Sequence, residues 1–130
     1  MVHHTPMLPF RVQFKTGAHT YDQVVYAVKK AIIAGALKPG DRFPSVRVLS
    51  QELRINPNTA QKVIAALAEE RLLVVNPGIG TVIAEASPAT REQLRLLLGE
   101  EVERVVVEAR KLHLNCDELL DAIRQHWNRL

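Results

Sequence analysis

The stretch from Arg42 to Leu72 restricts the fold more than any other part of the sequence, because it reads as a short helix, a tight turn and a longer helix. Ser45 stands ahead of Val46, Leu49 and Leu53, an apolar side at helical spacing. Its hydroxyl oxygen can accept from a first-turn N–H that has no partner inside the helix. Asn56 is placed to cap the second helix. Pro57 follows at the first helical position, where a missing N–H costs nothing and the fixed φ suits a helix. Ala60, Val63, Ile64 and Leu67 then repeat at helical spacing as a buried stripe. Asn58, Thr59, Gln61 and Lys62 are left to solvent on the opening turns. Hydrogen-bonding groups and a cation at the start of a helix are what contact with base edges and phosphates requires. Two helices at a corner cannot bury both of their stripes, so a third element must serve as a floor. Thr20 with Gln23 three residues on is a capping-box signal, and Val24, Val25, Val28, Ala31 and Ile32 continue it to Gly35.

Three motifs occur in order: L-K-P-G-D-R-F-P-S-V-R-V-L-S-Q-E-L at 37–53, I-N-P-N-T-A-Q-K at 55–62 and G-I-G-T at 78–81. Together they resemble the winged-helix reader head of the GntR family of bacterial transcription regulators, over roughly residues 20–84. Phe43 replaces the usual leucine, Ser50 an alanine and Ala60 a valine. The N-P-N-T-x-x-K form and the short tail are similar to the YtrA-type branch. The resemblance implies a sequence-specific, dimeric DNA-binding regulator of the repressor type, acting on a pseudo-palindromic duplex operator in the cytoplasm. Arg47 is then the chief base reader, since arginine can pair bidentately with guanine O6 and N7. Ser45 and Asn56 join it at the DNA, while Asn58, Thr59, Gln61 and Lys62 divide between base edges and phosphates. The plain structural alternative for Arg47 is a surface ion pair with Glu52 or Asp41.

The charge distribution agrees with such a front. From Phe10 to Ala84 there are ten Lys/Arg against five Asp/Glu, a net of +5; from Glu85 to Leu130 there are seven against nine, a net of −2. A basic front with an acidic back is expected when only the front meets phosphate.

The chain is expected to be mainly α with a small β-hairpin: an N-terminal arm at 1–19, a winged helix-turn-helix domain at 20–84 and a helical dimerisation tail at 85–130. Residues 1–9, with Pro6 and Pro9, are expected to be disordered. Phe10, Val12 and Phe14 alternate with polar residues, which predicts a short edge strand. Leu73–Val75 and Thr81–Ile83 flank the five residues 76–80, a hairpin loop in which Gly78 and Gly80 let the backbone approach a phosphate or a minor groove.

In the tail, residues 86–90 read as a linker and as a helix start. Leu98, Val102, Val105, Ala109 and Leu112 are spaced 4, 3, 4, 3, a heptad seam flanked by Leu94 and Val106. Gly99 weakens that helix by roughly 1 kcal/mol against alanine and marks where it could kink or break. Asn115 with Glu118 opens another helix, whose stripe includes Leu119, Leu120, Ile123, Trp127 and Leu130. Such a helical hairpin has more apolar face than it can bury, and a second copy is the economical cover.

Enzymatic chemistry finds no foothold. No carboxylates pair in an apolar setting, and no phosphate-cradling glycine loop is present. His113, Cys116 and Asp117 are a weak metal constellation, so neither a metal nor a cofactor is expected. The lone cysteine suits a reducing compartment. No apolar run approaches the ~20 residues of a membrane helix, and no membrane partner is expected. About 46 tail residues cannot hold a large effector domain. A small-molecule effector would have to bind the tail helices, the dimer interface or the head. Two other functions fit the same pattern: a non-specific architectural DNA binder, and a winged-helix protein-interaction module.

Overall fold

The computed structural model describes residues 8–130. Of residues 1–9, expected to be disordered, 1–7 lie outside the described residues, while Leu8 packs against the core. The chain divides into a head that ends at Ala86 and a tail, Ser87–Leu130. It is mainly helical, with one antiparallel two-stranded hairpin.

The head is built on α1 (Thr20–Ile33), α2 (Val46–Leu53) and α3 (Pro57–Glu69). Val24 and Val28 of α1, Leu49 of α2, and Ala60, Val63 and Leu67 of α3 are fully buried in one core, closed by Leu37, Phe43, Leu73 and Ile83. Lys29 on α1 pairs with Glu70, just past α3, at 2.7 Å. Being half exposed, that pair adds at most ~1 kcal/mol. The predicted capping box at Thr20 does not form. His19 is the N-cap and offers no side-chain bond. Gln23 works elsewhere: its Oε1 accepts from the Lys15 N–H at 2.6 Å and its Nε2 donates to the Ala18 carbonyl at 3.0 Å. The amide that would have closed the box ties the incoming chain to α1.

The edge strand expected at Phe10–Phe14 is also absent. The hairpin consists of β1 (Leu73–Asn76) and β2 (Gly80–Ile83), in register Leu73 with Ile83 and Asn76 with Gly80. The outer edge of β2 is taken by the chain entering α2. Phe43 N–H donates to the Thr81 carbonyl, Ile83 N–H to Asp41 and Gly40 N–H to Ile83, each at 2.8 Å. Residues 10–14 find no ladder there, and side chains hold the segment instead. Phe10 is buried and stacks on Phe43, with ring centroids 5.8 Å apart and planes 6° apart. The hairpin loop is shorter than expected. Asn76 and Gly80 form the last rung, so only Pro77, Gly78 and Ile79 make the turn, closed by Ile79 N–H to the Asn76 carbonyl at 3.0 Å.

The tail starts with α4 (Arg91–Arg95), runs through a π-helical stretch (Leu96–Glu101) into α5 (Val102–Lys111), and ends with α6 (Cys116–Arg129). Thr90 and Asn115 each close a full capping box, with Gln93 and Glu118. The break at Gly99 does not occur; the helix widens there and goes on. Arg95 donates to both carboxylate oxygens of Glu92, and this hydrogen bonding holds the Glu92 carboxyl below its ordinary value. No helix among the described residues is long and apolar enough to cross a membrane.

Candidate nucleic-acid interface

The turn between α2 and α3 is only three residues, 54–56. It is so tight because Arg54 adopts the left-handed conformation at φ 54° and donates its N–H to the Ser50 carbonyl. Ile55 N–H bonds to the same carbonyl at 3.0 Å.

Both predicted caps are present. Val48 N–H donates to Ser45 Oγ at 3.2 Å, and Asn58 N–H donates to Asn56 Oδ1 at 2.8 Å. Each cap still has donor capacity facing solvent. The Ser45 hydroxyl hydrogen and the Asn56 amide NH2 can reach a phosphate while their oxygens stay engaged. At the start of α2 the Val46 and Arg47 N–H groups have no partner inside the helix, which suits an anion; at the start of α3, where Pro57 has no N–H and Asn58 is bonded to Asn56, only the Thr59 N–H is left so.

Asn58, Gln61 and Lys62 are exposed and lie at i, i+3 and i+4, on the side of α3 opposite its buried stripe. Ala65, also exposed, continues that face with no bulk. Thr59 is half-buried, turned toward the edge of the face. Arg47 is exposed on α2, and among the described residues no carboxylate pairs with it. The alternative of a static ion pair with Asp41 fails for a local reason. Asp41 Oδ2 instead accepts the Lys38 N–H at 2.9 Å and closes the turn before α2.

Gly78 and Gly80 sit at the hairpin tip with φ of 84° and 109°. Added Cβ atoms would meet nothing within 4 Å, so the positive φ, not crowding, accounts for glycine there. Between them Ile79 is half exposed, an apolar tip on a polar face. Ile79 carries no polar group, so nothing in the sequence marks it beyond its place between the two glycines. Arg42 is not marked either. It is exposed and bridges to Val82, which places a cation beside the hairpin. A groove of about 730 Å³ on the head lies elsewhere, between residues 9–15 and α1. No group of three or more metal-ligating side chains occurs among the described residues.

The tail residues expected at a dimer seam are mostly exposed: Leu98, Val102, Val105, Leu112, Leu120, Ile123 and Trp127. Trp127 is 80% exposed, an unfavourable position for the largest apolar side chain. Ala109 alone is buried within the chain.

A family model described as bacterial regulatory proteins, gntR family, matches residues 20–83. The helix-turn-helix-type transcriptional regulator YhcF of Bacillus subtilis is 30% identical over 112 residues, 86% of this chain and 93% of YhcF. The helix-turn-helix-type transcriptional repressor YtrA of the same organism is 28% identical over 106 residues, 81% of this chain and 82% of YtrA. Among solved structures, the DNA-binding domain of AraR in complex with operator ORX1 superposes with a TM-score of 0.50 at 28% identity, over 63% of this chain and all of that domain.

Proposed function

The chain belongs to the GntR family of bacterial regulatory proteins and is a transcription regulator with a winged-helix DNA-binding head, and from that premise we propose a dimeric repressor of a pseudo-palindromic operator. The family regulates transcription and is not a family of enzymes. The observation that carries the finer reading is an exposed Arg47 on α2, paired with no carboxylate among the described residues, together with the exposed polar face of Asn58, Gln61 and Lys62 on α3. AraR's DNA-binding domain, similar over the head, was solved on its operator. YtrA, similar over head and tail, is a repressor.

In this reading the opening turns of α3 enter the major groove. Arg47 reads a guanine, Ser45 and Asn56 hold phosphates, and the hairpin tip meets the backbone or the minor groove. Two copies related by a twofold axis read half-sites about one helical turn apart. The tail supplies the contact between copies. The cytoplasm, where the chromosome lies, is the proposed compartment.

Selection of operators from a random duplex pool tests the specificity. The expected product is an inverted repeat. A pool that stays unenriched favours a non-specific architectural binder. Arg47→Ala should cost roughly 1–3 kcal/mol on the selected site and little on random duplex. An equal loss on both, in a fluorescence-anisotropy titration, would make Arg47 a phosphate contact.

Salt gives a second check. With about four to eight phosphates neutralised per dimer, the log of affinity should fall against log salt with a slope of roughly −4 to −7. A slope near zero would rule out the DNA-binding reading and leave a protein-interaction module.

A further inference from the structure

Between Leu96 and Glu101 the tail helix is π-wound, and the Val102 N–H donates to the carbonyl of Leu97, five residues back. The backbone remains right-handed helical at Arg95, Leu96, Glu101 and Val102, so α4, the π stretch and α5 form one continuous rod. A π turn holds one residue more than an α turn. Across it a step of five residues returns to the same face, whereas five residues of α-helix turn about 140° away. Leu97, five residues before Val102, therefore falls in line with it. Leu94, eight before, behaves as though it were seven before. Plain α winding would carry Leu97 round to the charged flank of Glu101, Arg104 and Glu108.

We propose that the π stretch sets the register of tail self-association: it turns Leu94 and Leu97 onto the stripe of Leu98, Val102 and Val105, and this lengthened stripe docks on the same stripe of a second copy. The inference rests on the dimer reading above. The three leucines are 47%, 56% and 64% exposed, so an isolated chain leaves them in water. The flanking charges point to the occupant. Arg95 is paired with Glu92 at 2.7 Å and Glu100 at 3.6 Å, Arg104 with Glu101 at 3.0 Å, and Lys111 with Glu108 at 2.8 Å. These pairs leave little net charge along the rod to attract a partner of either sign. The stripe itself is uncharged and several turns long. Its complement is an equally long uncharged helical stripe with balanced flanks, and the chain carries one. A π turn is rare and is commonly kept at functional sites.

The test compares full-length parent, Leu97→Gln and Leu96→Gln by sedimentation equilibrium. Leu96 is exposed to a similar degree, at 42%, but faces away from the stripe in either winding. Glutamine is a good helix former, so both variants should keep the parent circular-dichroism spectrum. Leu97→Gln is expected to raise the dimer dissociation constant roughly tenfold or more, because a twofold interface carries the change twice. Leu96→Gln is expected to change it less than about twofold. A dimeric parent indifferent to Leu97→Gln, or equally sensitive to both changes, overturns the register while leaving dimerisation standing. A parent that sediments as a monomer overturns the dimer reading and the register together.

Discussion

Val105→Glu is expected to leave the protein monomeric, or nearly so, with its head still folded. Val105 lies at the middle of the 98–112 seam and is 48% exposed in the single chain, so the substitution costs the monomer little. In the proposed dimer the same carboxylate would be buried without a partner. That costs several kcal/mol, and a twofold axis imposes it on both copies. DNA binding should change in kind as well as in strength. Each head can still meet a half-site, but the geometric link between half-sites is gone. Sedimentation velocity beside a gel-shift titration reads both effects. A Val105→Glu protein that remains a dimer would place the interface elsewhere. A monomer that binds the full operator as tightly as the parent would show that the heads need no tail to cooperate.

Phe43→Ala is expected to destabilise the head by about 3–5 kcal/mol, the usual range for emptying an aromatic site in a core. Phe43 is 6% exposed and stacked on Phe10. Its backbone N–H is bonded to Thr81, and Ser45 and Arg47 follow directly in the chain. The vacancy would loosen Phe10, the strap at 40–43 and the entry to α2 together. Urea unfolding followed by far-ultraviolet circular dichroism should show the midpoint falling by roughly 1 M or more. Operator affinity should fall at temperatures where the variant is partly unfolded. Phe43→Leu should lose far less, since most of the apolar volume stays. A loss below about 1 kcal/mol for the alanine variant would mean that the aromatic pair is not part of the head's core.

The parts of the fold legible in the sequence were those decided by near neighbours. Ser45, Asn56 and Asn115 cap their helices through bonds spanning two or three residues, and each signal could be read locally. The buried stripes of α1, α2 and α3 followed from period alone. The failures share a different cause. Alternation at Phe10–Phe14 was real, but alternation alone does not show whether an edge is open to it, and the outer edge of β2 was already taken. Residues 40–43, far off in sequence from 10–14, held it. Gln23 stood in the right place for a capping box and was drawn away by Lys15 and Ala18. The π turn at Leu96–Glu101 is not legible either, because a heptad assumes unbroken α winding and Gly99 signals only a weak point in the helix. At the candidate interface the polar face of α3 was legible because its buried face was. Arg42 and Ile79 were not, because their exposure depends on how the strap and hairpin meet.

The strap at 40–43 has a further consequence for how the head survives crowding. It seals one margin of β2, while among the described residues the outer margin of β1 has no partner strand. That margin carries Val74 and Val75, 49% and 71% exposed. Bare backbone donors and acceptors beside valines are a template on which a stray chain can add itself as an extra strand. The protection here is brevity. The strand has four residues, and Pro77 follows at once, with no N–H to offer a neighbour. Lengthening the hairpin to reach further along a groove would therefore trade solubility for reach. A variant with two more residues in each strand should precipitate at concentrations the parent tolerates, unless a lysine is set on the open margin.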